Sequence, residues 1–171
     1  DEKFWTPAGV TEADRNLLAL ATMTRGVPVT SLPIDGADIP LPSDDDYEPA
    51  RFEAMSGRDV PDVVPPLEPD LIGELFVLDW LDPTKHRRPA DRKRAEALRR
   101  LAWKGDPPGM AWFLIRSAQD YLDHPAGPPL RALAKDDEVQ RWLWSMAAVD
   151  LILIHGNAGQ LGAAREVYGG L

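Results

Sequence analysis

A chain of 171 residues with 44% apolar side chains can bury a core as one ordinary domain or two small ones. It holds no apolar run of the ~18 residues that would cross a membrane, and its start, Asp1-Glu2-Lys3-Phe4-Trp5, lacks the basic and apolar regions of a secretory leader. Having no cysteine, it has neither disulfides nor thiolate metal sites, and its formal net charge of -9 opposes general binding to phosphate backbones.

The charge is uneven. Residues 1–84 carry 18 acidic and 5 basic side chains, a balance of -13, whereas residues 85–171 carry 10 acidic and 14 basic, a balance of +4. Such a split predicts two subdomains, or two faces that attract each other. The boundary is placed between residues 82 and 83. The absence of cysteine is compatible with a reducing cytoplasm, the expected compartment. A start without methionine and an abrupt Gly-Gly-Leu end predict a piece of a longer protein.

In chain order, Thr11 to Arg25 reads as the first helix. Thr11 is placed as N-cap, Asp14 as capping-box acid, and Gly26 as the C-terminal stop. The prolines and glycines of residues 27–46, with the run Asp44-Asp45-Asp46, predict an exposed loop. Glu48 to Ser56 reads as a short helix stopped by Gly57. Val60 to Leu67 reads as an extended edge segment, because its prolines cannot donate to a ladder. Pro69 then suits the first turn of a helix, and Asp70 and Glu74 fall near its positive end. Leu71, Ile72, Leu75, Phe76 and Leu78 predict that this helix is mostly buried, with Leu75 central on its apolar face. It is expected to end near Leu81, ahead of Asp82-Pro83.

Pro89 to Lys104 reads as a basic helix with Ala95, Leu98, Leu101 and Ala102 inside. A break at Gly105 to Gly109 precedes a helix from Met110 to Leu122, and His124 to Pro129 breaks the chain again. Helical patterns follow at Leu130 to Ala134, at Glu138 to about His155, and from about Leu161. Alternation of helix and Pro/Gly break is how helical repeat arrays begin. Leu151, His155, Gly159, Ala164 and Tyr168 resemble the pattern of a tetratricopeptide-like helix pair.

No residue pattern for catalysis stands out. There is no Gly-rich loop ending in Lys-Ser/Thr, no His-Glu-x-x-His and no Gly-x-Ser-x-Gly. His86, His124 and His155 lie far apart in sequence and in different contexts, so no metal site is assigned. Consecutive aspartates lack the alternating ligands and the glycine of a calcium loop, so Asp44 to Asp46 read as a solvated loop. Arg88, Arg92, Arg99 and Arg100, within a strongly basic stretch, are the candidate interaction surface, weighed against a merely solvated helix face. The tryptophans, 6 in all, read as core bulk rather than as a ligand groove. No catalytic residue, cofactor or metal is expected.

Two segments carry a resemblance. Leu17 to Gly26 and Pro65-Pro66-Leu67-Glu68-Pro69-Asp70-Leu71-Ile72-Gly73-Glu74 resemble sequences just downstream of the nucleotide-binding module in bacterial multidomain signalling P-loop ATPases. These are nucleotide-gated switches of the innate-immune-receptor-like class. The resemblance covers roughly residues 11–81. It implies a mainly α fold, with a small winged-helix-like regulatory segment over residues 1–82. Antiparallel helical hairpins of a repeat type would follow over residues 83–171. It implies a non-catalytic segment that couples nucleotide state to partner sensing. The family's ATP-binding residues have no counterpart here. The expected partners are proteins or neighbouring domains, not nucleic acid or membrane, with self-association through the C-terminal helices. The alternatives are a stand-alone helical-repeat adaptor that binds a peptide or protein, or an enzyme with an unrecognised site.

Overall fold

The computed structural model of the chain describes residues 9–32, 38–58, 60–68, 70–85 and 88–130. The expected helices beyond residue 130, the repeat-like pair within them, and Pro69, His86 and His155 lie outside the described residues. The described part is mainly helical, and no helix in it is long and apolar enough to cross a membrane.

Helix α1 runs Glu12–Met23. Its start is the expected capping box: Thr11 Oγ1 accepts the Asp14 N–H at 3.1 Å, and Asp14 Oδ2 accepts the Thr11 N–H at 2.8 Å. Leu17, Leu18, Ala21 and Met23 are fully buried, so α1 is wrapped on most sides rather than on one stripe. Its buried polar residues are partnered. Asp14 pairs with Arg51 at 2.9 Å, and Asn16 donates to the Pro40 carbonyl at 2.9 Å. The helix stops two residues before the expected Arg25, which adopts the left-handed region at φ 60°. Gly26 follows at φ 122°, where a Cβ would sit 2.9 Å from Val63 Cγ1.

That close approach lets strand β1 (Val27–Pro28) pair antiparallel with β2 (Val63–Val64), in the register Val27 to Val64 and Pro28 to Val63. Between the strands lies α2 (Pro49–Ser56), preceded by a 3-10 turn at Asp44–Asp46 and closed by Gly57 at φ 75°. The fully buried Phe52 anchors α2, its ring 5.1 Å from that of Tyr47.

Helix α3 (Asp70–Trp80) corrects the sequence reading. It was expected to bury its apolar residues, yet Leu71, Ile72 and Leu75 are 50%, 57% and 40% exposed. The buried side is Gly73, Glu74, Val77 and Leu78. The cause is Gly73: a Cβ there would lie 2.4 Å from the Leu67 carbonyl and 3.1 Å from Thr22 Cγ2. Without a side chain at that position the helix backs onto α1 through its glycine, which turns Leu71 and Leu75 outward.

Helix α4 (Pro89–Gly105) buries Ala95, Leu98, Ala102 and Trp103, with Leu101 only half-buried. Helix α5 (Pro107–Asp120) begins before the expected Met110. Asp106 alone separates the two: its N–H donates to the Ala102 carbonyl at 3.0 Å, and its own carbonyl accepts the Met110 N–H at 2.9 Å. The prolines that looked like a break occupy the first turn of α5, where a missing N–H costs nothing. Past α5 the chain is helical again over residues 127–130, so the helix expected from Leu130 begins inside the second expected break. One apolar cluster joins Leu17, Leu18 and Leu78 to Leu98, Met110, Leu114 and Leu130, so packing is continuous across residues 82 and 83.

Candidate binding cleft

The placement of α3 against α1 and α5 leaves a cleft of about 210 Å³. Pro66, Leu67, Trp112 and Phe113 form its apolar walls. Thr22, Arg25, Asp70, Glu74 and Arg116 supply its polar groups. Thr22 also ties the segment ahead of α3 to α1, its hydroxyl accepting the Leu67 N–H at 3.1 Å.

Glu74 is the unusual member. It is 4% exposed. One oxygen, Oε1, pairs with Arg116 Nε at 3.0 Å, while Oε2 is buried with no hydrogen-bond partner. Burial pushes its carboxyl up to about 7; Asp120 and Asp70 push the same way, and Arg116 opposes them. Arg116 is shared, because its Nη1 also holds Asp70. Arg25 is drawn towards Asp106 at 3.6 Å.

A larger cavity of about 540 Å³ lies by Leu20, Thr24, Val27, Leu101 and Lys104. Its buried hydroxyl, on Thr24, already donates to the Leu20 carbonyl at 2.8 Å. Size alone therefore does not make it the better site, and the cleft at Glu74 is where a buried group lacks a partner.

Asp79, Asp82 and His124 converge closely enough to suggest a metal centre. The hydrogen bonds argue otherwise. The Ala126 N–H donates to His124 Nδ1 at 3.2 Å, which leaves the ring proton on Nε2, facing Asp79 Oδ1 at 3.2 Å. A metal would need that Nε2 lone pair. Lys85 Nζ, 2.5 Å from the same Asp79 oxygen, already supplies a cation. For the buried Asp82, burial acts to raise the carboxyl, but the Thr84 hydroxyl and N–H, with Lys85, outweigh it and hold it below its ordinary range. This cluster fastens the end of α3 to the turn after α5.

The four arginines singled out in the basic stretch have different surroundings. Arg88 pairs with Asp91 at 3.1 Å and Arg100 with Glu96 at 2.6 Å, both exposed. Arg92 is exposed. Arg99 is half-buried, and burial lowers its pKa; its Nε has no partner, nor has Trp103 Nε1 one turn on. Of the tryptophans described, Trp103 is core at 3% exposed, as expected. Trp80 is half-buried between Arg15 and Arg94, whose guanidinium carbons stand 4.8 and 4.9 Å from its ring. Trp112 is 36% exposed and lines the cleft.

Sequence reasoning places Glu74 near the positive end of a helix and assigns it no site. The signal is there in Gly73-Glu74: a glycine that lets a helix back onto its neighbour carries the next residue inward. Arg116 and Trp112 have no local signal. Compared with protein families, curated proteins and solved structures, the chain matches none.

Proposed function

We propose that this chain is a non-catalytic regulatory and protein-interaction segment of a larger signalling ATPase, acting in the cytoplasm and coupling nucleotide state to partner sensing. The observation that carries the reading is that the two segments of the resemblance form one unit. Thr22, on the first segment, receives the Leu67 N–H of the second and lies against Gly73. The order helix, strand, helix, strand, helix over residues 12–80 supports a winged-helix-like part. The helices that follow are read as the start of a repeat array that binds proteins and self-associates through its C-terminal end.

The parent reading frame tests this directly. A P-loop module encoded ahead of this segment is expected, and a frame without one overturns the reading. Steady-state ATP hydrolysis by the purified chain should stay at background.

A second reading, an enzyme, is favoured by one observation: a carboxyl pushed up to about 7 in a cleft is what a general acid or base requires. Magnesium-dependent or other turnover that survives repeated purification and is lost in Glu74→Gln would replace the first reading with this one.

A further inference from the structure

We propose that the cleft at Glu74 is a receptor for one basic side chain of a partner polypeptide, whose cationic head meets Glu74 Oε2 while its apolar neighbours rest on Leu71 and Leu75. This receptor depends on the cleft alone and stands or falls separately from the nucleotide-switch reading.

Glu74 Oε2 is an orphan. The residue is 4% exposed, and this oxygen has no donor. A buried acceptor left unpaired costs about 1–3 kcal/mol, more when charged. The site therefore lacks a donor, and a charged donor offsets most. Glu74 lines the cleft, and the terminal torsion of a glutamate is soft, so the carboxylate can turn to meet it.

Charge selects the kind of donor. Four carboxylates (Asp70, Glu74, Asp106 and Asp120) gather around the cleft against two guanidinium groups (Arg25 and Arg116). With Glu74 ionised the balance is -2, which favours a cation. The walls suit the stem of a lysine or arginine, whose methylenes lie along apolar surface while the head reaches a polar group. Trp112 adds an aromatic face of the kind that attracts cations.

Size and surroundings select a side chain over a free ligand. About 210 Å³ is below the ~300–1,000 Å³ of pockets that enclose a whole small-molecule ligand, but it is room for one side chain. Leu71 and Leu75 each stand about 100° round α3 from the cleft residue before them, Asp70 and Glu74, so a polypeptide leaving the cleft can cross them. Three large exposed apolar residues on one helix are a docking surface in kind, where single ones would be ordinary. A free amine would leave that face unused; a peptide would not.

The test is calorimetric titration of the full 171-residue chain with the capped peptide Leu-Ser-Arg-Leu-Leu. Its counterpart carries neutral citrulline for arginine, and n-butylguanidinium represents the head and stem alone. Saturable binding of the arginine peptide is expected, at least tenfold tighter than the citrulline peptide. Because the carboxyl at about 7 must ionise to take the cation, binding should tighten about tenfold from pH 6 to pH 8. Glu74→Gln should weaken binding at least tenfold and flatten that pH profile. Leu71→Ser should weaken the peptide but not n-butylguanidinium. If Glu74→Gln does not fold, the citrulline comparison and the wild-type pH profile still decide. Absence of saturable binding into the millimolar range, or equal binding of the citrulline peptide, overturns the proposal. So does n-butylguanidinium binding as tightly as the peptide, which would make the cleft a site for free small cations.

Discussion

Glu74 makes the fold pH-dependent in an uncommon direction. Its carboxyl is raised from 4.5 to about 7, so the folded chain holds that proton more tightly than the unfolded chain. The stabilisation is fully present below about 4.5 and is lost as pH rises through about 7. Asp70, Asp120 and Arg116 are the charged groups that face it. Glu74→Gln cannot ionise. It should change stability little near pH 4 and raise it by about 1–3 kcal/mol at pH 8, since each tenfold change in proton affinity is worth about 1.4 kcal/mol. Urea unfolding of both proteins across that range would show it; parallel profiles would mean that Glu74 ionises freely.

Gly73 and Gly109 offer a comparison of costs. Alanine inside a helix normally gains about 1 kcal/mol over glycine. At Gly73 a Cβ would meet a backbone carbonyl at 2.4 Å, which cannot swing aside. Gly73→Ala should therefore destabilise by about 1–3 kcal/mol, the usual cost of overpacking. At Gly109 the nearest obstacle is the Asp106 carboxylate, which can move by giving up its contact with Arg25. The Thr24 backbone carbon at 3.2 Å remains, so Gly109→Ala should cost something, but less than Gly73→Ala. Thermal unfolding distinguishes the two, and equal effects would contradict the packing of α3 on α1.

Local chemistry made several elements legible. The capping box at Thr11 and Asp14, the left-handed stop at Gly57 and the short extended segment near Val63 all depend on neighbouring residues, and each lies where the sequence put it. Helix α3 was misread because apolar count is not orientation. Five large apolar residues in one helix say that a face exists, but the glycine chooses which face meets the core. The cleft was hidden for a related reason: Glu74 and Arg116 stand 42 positions apart, and no spacing rule links them. The proline pair after Asp106 misled in the opposite sense, because prolines that break a helix interior are welcome in a first turn.

The orientation of α3 also revises an energetic expectation. Leu75, taken as central to the core, is 40% exposed, whereas Leu78 is 1% exposed. Leu78→Ala should cost about 2–5 kcal/mol. Leu75→Ala should cost under about 1 kcal/mol, near the surface norm. Chemical denaturation of both variants checks this, and a reversed order would restore the buried leucine face.

The acidic and basic parts of the chain are not separate bodies among the described residues. Arg94 meets Glu12 at 2.6 Å, and Arg116 reaches both Asp70 and Glu74. The Arg116–Asp70 pair is exposed and worth about 1 kcal/mol or less, while each of the other two has one partner largely shielded. The stronger bond is the shared core: α1 packs on α3, α4 and α5 together. Residues 1–82 expressed alone should therefore fail to fold, since Leu98, Met110 and Leu114 supply the other side of that core. Well-dispersed amide resonances from this piece would show that the charge boundary is a structural one after all.

Trp80 gives the molecule a natural optical gauge. Its indole N–H donates to Asn16 on α1 at 2.9 Å, while Arg15 from α1 and Arg94 from α4 stack on its two-ring surface. Three helices thus meet at a single chromophore. Anything that shifts α3, whether a peptide seated beside it or a proton gained at Glu74, is transmitted to the polarity around that indole. In a variant that keeps this indole alone of the 6 tryptophans, the emission wavelength should record the motion without any attached dye.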